Sequence, residues 1–163
     1  MKTVPDGGGA KFFSGASTAR HRCRVGVLSL MVAVAGLCEV GSGLQAATLT
    51  WDKVTGDGGA ITGGTGTWTD GLGNWNTGSG DTIWSSATPD SAIFGGTAGT
   101  VTLGGAVTVG NMVFNSGYIL AGGGNPLTLS NSTITANTTA TISAALGGST
   151  GLIKDGAATL TLS

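Results

Sequence analysis

Apolar and polar positions alternate along this chain in short bursts. Leu160, Thr161 and Leu162 form an apolar–Thr–apolar triplet. The same triplet centres on Thr102, Thr108 and Thr128, while Ile134 and Ile142 each sit between two hydroxyl residues. A period of two is the signature of a strand with one face buried. The pattern predicts strands at 47–51, 91–94, 100–103, 106–109, 111–115, 117–120, 126–130, 132–135, 140–143, 151–154 and 158–162. The separators are turn chemistry: Gly104–Gly105, Gly110, Ser116–Gly117, Gly122–Gly124, Asn137, Gly147–Gly148 and Asp155–Gly156. Residues 52–66 are rich in Gly and Thr and are expected to be mostly turn. Beyond residue 46 no window carries a helical period.

Strands this short, often only two residues apart, suit a β-solenoid better than a sandwich, whose strands usually run to about five or six residues. The triplets at 107 and 127 lie one plausible coil apart. In such a coil Val, Leu and Ile face inward, Thr forms outward ladders, and Gly turns the corners. The expected fold class is therefore all-β, a parallel β-helix or solenoid, with a β-sandwich as the alternative.

The first 46 residues differ from the rest. Lys2, Lys11, Arg20, Arg22 and Arg24 precede an uncharged apolar run over 25–38, and small residues follow to Ala46 and Ala47. This is the layout of a cleaved secretory signal, with cleavage near Ala46 or Ala47. The alternative is a membrane-anchoring first helix, although the run falls short of the roughly 20 residues a span needs. Three segments are thus expected: a signal at 1–46, a Trp- and Gly-rich cap or leader at 47–99, and solenoid repeats at 100–163. The chain breaks off inside a repeat, so its last rung is expected to leave an open sheet edge.

Removing the signal changes the chemistry that is available. Two lysines (Lys53, Lys154) remain against six aspartates (Asp52, Asp57, Asp70, Asp81, Asp90, Asp155), a net charge of −4. That segment has no Arg, His, Cys or Glu. A disulfide framework and a Cys/His metal site are excluded, and a nucleic-acid surface is not expected. Catalysis is not expected either: no His or Glu stands ready as a general base, and no Ser can be activated by a His. The glycine runs at 95–100 and 121–126 lack the Lys-Ser/Thr of a phosphate loop and read as corners. Asn131 and Asn137 fit the glycosylation sequon, which matters only in a eukaryotic secretory route.

Two clusters invite a binding reading. Trp51, Trp68, Trp75 and Trp84 could stack on sugar rings, or could cap the first coil by burying large apolar area. The capping role is the preferred expectation. Asp57, Asp70, Asp81 and Asp90 stand in glycine-rich turns where calcium would fit. No calcium-loop pattern repeats, so they are expected to be turn caps, with no metal and no cofactor.

The last thirteen residues, GLIKDGAATLTLS, resemble the opening of the autotransporter-associated β-strand repeat, also called the passenger-associated transport repeat. Gly151, Leu152, Lys154, Gly156, Thr159, Leu160, Leu162 and Ser163 match it, and Ala158 stands where the family usually has Gly. The region from about 47 to 130 resembles the leader such proteins carry before their repeats. The resemblance implies a right-handed β-helical passenger, exported by a Gram-negative bacterium to the outer membrane, cell surface or medium. It implies a non-enzymatic structural or adhesive role, with a cell-surface glycan or a host or neighbouring cell as the expected partner; self-association is expected separately, from the unpaired edge of the last strand. The alternatives are a carbohydrate-binding module built on the tryptophans, and the N-terminal part of a larger secreted enzyme.

Overall fold

The structure is a computed structural model that describes residues 46–163. The expected secretory signal lies almost wholly outside these residues. The described residues form strands and no helix.

The strands wind in coils. β5 (Ser91–Phe94), β6 (Thr100–Leu103) and β7 (Val107–Val109) make the first complete coil. β8 (Met112–Phe114), β9 (Ile119–Ala121) and β10 (Leu127–Leu129) make the second. β11 (Thr133–Ala136), β12 (Ala140–Ile142) and β13 (Leu146–Gly148) make the third, and β14 (Ile153–Asp155) and β15 (Leu160–Leu162) begin a fourth. Each coil visits three parallel sheets in turn. The fold is a parallel β-solenoid, as the triplets predict.

Register explains why the coils stack. Leu127 pairs with Val107, and Leu146 with Leu127. Val101, Leu120, Ile142 and Leu162 form a second column, and Ala92, Met112 and Ile134 a third. A strand slipped by one residue would turn every apolar side chain outward, so the alternation itself pins the register. The column members from Val101 to Ile142 and from Ala92 to Ile134 are buried in one continuous core. The intervening Thr102, Thr108, Thr128 and Thr141 face outward and are half-buried.

The N-terminal end is closed. β1 (Thr48–Trp51) joins the first sheet parallel to β5, and β2 (Gly66–Trp68) lies parallel to β6. β3 (Trp75–Asn76) and β4 (Asp81–Thr82) form a hairpin that pairs antiparallel onto the outer edge of β1. Residues 47–99 therefore share sheets with the repeats. At the other end, β13, β14 and β15 are the terminal strands of their sheets. Leu152, Ile153 and Leu162 are exposed there.

Three sequence expectations needed correction. The glycines of β13 read as a separator, yet they form a strand because β10 offers a ready ladder beside them. The strands predicted at 117–120, 151–154 and 158–162 begin about two residues later, at 119, 153 and 160. β2, β3 and β4 fell in or near segments read as turns. They are two or three residues long, and tertiary pairing rather than propensity defines them.

Candidate functional site

The four tryptophans form one plug at the closed end. Trp51, Trp68, Trp75 and Trp84 are all at most 1% exposed. Trp75 lies at the centre, with its ring centroid 5.4 Å from Trp51, 4.9 Å from Trp68 and 4.6 Å from Trp84. Phe94 continues the column 5.7 Å from Trp75 and stacks on Phe114 at 5.1 Å. The Trp51 Nε1–H donates to the Gly64 carbonyl, and the Trp84 Nε1–H to that of Thr108. A sugar platform needs an open aromatic face, and these rings spend theirs on each other. The glycan-stacking expectation for the four tryptophans is corrected on that ground.

Tyr118 ties the plug to the first corner. Its hydroxyl accepts from the Gly64 N–H at 2.8 Å, and the carbonyls of Thr97 and Gly95 lie 2.6 and 2.8 Å away to receive its proton. Gly63 sits beside it at φ +66°, where an added Cβ would stand 2.5 Å from that hydroxyl. Burial raises the Tyr118 pKa above its ordinary value, outweighing the lowering by the Gly64 hydrogen bond. A raised pKa stabilises the fold while the hydroxyl stays protonated. That contribution is present below about pH 10 and lost as pH rises through the folded-state value. Tyr118→Phe should cost about 1–2 kcal/mol at pH 7, because the Gly95 carbonyl loses its donor while the Gly64 N–H and the Thr97 carbonyl keep only each other. Urea titrations at pH 7 and pH 11 check this: the gap between wild type and variant should shrink at the higher pH.

The outward faces carry polar ladders. Thr108 pairs with Thr128, and Thr141 with Thr161. At one corner the Asn137 amide donates to Asn115 Oδ1 at 2.8 Å. Neighbouring rungs lie about 4.8 Å apart, so hydroxyl and amide groups recur along the solenoid at that spacing. Such rows can hydrogen-bond an extended polar partner; they supply neither a nucleophile nor a base. The sequence showed the threonine rows through their triplets. It did not show the asparagine pair, which only register brings together.

The residues of the terminal repeat motif occupy the open end. Lys154 falls in register with Ile134, and its ammonium donates to the Gly156 carbonyl. Gly156 has φ +80°, and a Cβ there would collide with the Ala136 carbonyl, so that position accepts no side chain. Thr161 and Leu162 pair with Thr141 and Ile142. Leu152 and Leu162, with Leu129 and Leu146, line an apolar groove in which Gly151 also takes part. Thr159 precedes β15 and its carbonyl accepts from Ala140. The Ser163 N–H donates to Ile142.

Three aspartates accept hydrogen bonds, two of them from residues far away in sequence. Asp90 accepts from the Ala47 N–H, Asp70 from the Ser86 N–H and hydroxyl, and Asp155 from the Gly156 N–H. Asp52, Asp57 and Asp81 instead converge. No helix among the described residues is long and apolar enough to cross a membrane.

Comparison with known proteins adds one relative. Over 83 residues, 48% of this chain, the sequence is 53% identical to the adhesin BmaC autotransporter of Brucella suis biovar 1 (strain 1330). The chain spans about 2% of that relative's length. No family model matches the chain, and no solved structure matches it.

Proposed function

We propose, from its fit to an autotransporter passenger repeat segment, that this chain is an exported, non-enzymatic piece of a surface or secreted adhesin-like protein. The identity over 83 residues to an autotransporter adhesin carries this reading. The architecture agrees with it. A stack of coils holds its shape through aliphatic columns and leaves three long polar faces free for contact. The basic and apolar N-terminal segment supplies the export signal. The partner is a surface glycan or a neighbouring cell, contacted through the threonine and asparagine rows rather than the tryptophans. A second copy of the chain meets the apolar groove at the open end.

One preparation tests the reading. Expressed in a Gram-negative host, the chain should leave the cytoplasm and be shortened at about Ala46 or Ala47. Fluorescent beads coated with the exported product should then attach to bacterial or host cells, and should clump with one another. Uncut protein held in the cytoplasm rules out export. Beads that neither attach nor clump beyond albumin-coated ones rule out adhesion.

A further inference from the structure

Three carboxylates converge beside the closed end. Asp52 follows β1, Asp57 lies in the glycine-rich loop after it, and Asp81 opens β4. One oxygen from each lies within 4.8 Å of the others. Asp52 is fully buried. Its Oδ1 accepts from the Val54 N–H at 3.2 Å, the Thr62 N–H at 3.3 Å and the Thr62 hydroxyl at 2.6 Å. Its Oδ2 is buried and has no hydrogen-bond partner. Asp81 Oδ2 accepts from the Gly56 N–H, and its Oδ1 from the amide of the buried Asn76 at 3.4 Å. Asp57 is exposed.

A buried carboxylate oxygen without a donor is costly, and close like charges add to that cost. Lys154 is bound at the far end, and the Lys53 stem runs along Gly64. An oxygen-only donor set carrying three negative charges suits a hard divalent cation. Of the two common ones, calcium accommodates every oxygen separation up to 4.8 Å. Calcium binds oxygen at about 2.3–2.6 Å, so oxygens up to about 5 Å apart can share one ion. Magnesium binds at about 2.0–2.1 Å and spans only about 4 Å. The loop also fits calcium's tolerance of irregular geometry, since Gly56, Gly58 and Gly59 all take positive φ.

We propose that Asp52, Asp57 and Asp81 form a calcium site that fastens the 53–62 loop onto the β3–β4 hairpin. The ion lies against the buried Asp52 oxygen, replaces its missing partner and relieves the repulsion among the three carboxylates. Water completes the coordination. The site strengthens the end of the solenoid that carries the tryptophan plug.

Thermal unfolding of the full chain tests this, with calcium affinity measured by calorimetry. Calcium at ten times its Kd should raise Tm by about 5 °C relative to EDTA. Asp57→Asn keeps the fold because Asp57 is exposed. In EDTA it should melt at or above the wild-type temperature, having lost one repelling charge. Its calcium affinity should fall at least about ten-fold, so that the same calcium concentration raises its Tm by no more than about 1.5 °C. A wild type indifferent to calcium, or an Asp57→Asn variant that responds equally, sinks the site. An equal response to magnesium overturns the assignment to calcium.

Discussion

Leu127→Asp should unfold the stacked coils, at a cost of at least about 4 kcal/mol, whereas Thr128→Asp one residue along should cost about 1 kcal/mol or less. Leu127 is fully buried in the middle strand of its sheet, between Val107 and Leu146. Its carboxylate replacement would sit among aliphatic groups with no cation nearby. Thr128 faces outward between Thr108 and Gly147, where water solvates a charge. The pair differs only in which side of the pleat receives the same group. Urea titrations followed by far-ultraviolet circular dichroism read both costs. Similar midpoints for the two variants would mean that the alternation does not divide core from surface.

Trp75→Ala should cost about 4 kcal/mol, within the usual range for removing a buried Trp or Phe ring. Its neighbours are three other indoles and Phe94, so the void would open where the plug is thickest. The loss should begin locally. In a stacked repeat each unit leans mainly on its neighbours, so the closed end should melt before the later coils. Tryptophan fluorescence reports that end, because all four indoles are there, while circular dichroism reports the whole ladder. The fluorescence transition of the variant should precede the dichroism transition; in the wild type the two should coincide. A fully stable Trp75→Ala protein would instead mean that the packing of the indoles does not hold the closed end together.

The solenoid was legible because its inward and outward residues differ in kind. Val107, Leu127 and Val101 are aliphatic, Thr108, Thr128 and Thr102 are not, and the alternation survives in three-residue strands. The first coil was less legible. Leu49 and Trp51 announced β1, and both are buried. β3 and β4 are two residues each and owe their existence to the free edge of β1, which no local pattern encodes. β13 was invisible for a similar reason: its glycines have no strand preference and are held only by pairing with β10.

The acid cluster marks another limit of local reading. Asp52, Asp57 and Asp81 all looked like ordinary turn residues. Their convergence depends on the hairpin folding back across β1. The one available hint was that Asp52 follows directly on a buried tryptophan, which places it at the core boundary. The tryptophans posed the opposite problem: their number was plain, but their accessibility was not. Burial, rather than residue type, decided between a binding platform and a plug.

The regular coil length has a kinetic consequence. Partners in successive coils lie only 19 to 22 residues apart in sequence, as in Thr100–Ile119 and Met112–Ile134. At the closed end Leu49 must find Ala92 and Gly66 must find Val101, across 43 and 35 residues. Closing the longer loops costs about 0.6 kcal/mol more per doubling of length, before any contact repays it. The first turn therefore carries the largest loop-closure cost of the stack. Every later turn closes a loop of nearly constant size, so a coil added to a finished neighbour meets nearly the same entropic cost at each step.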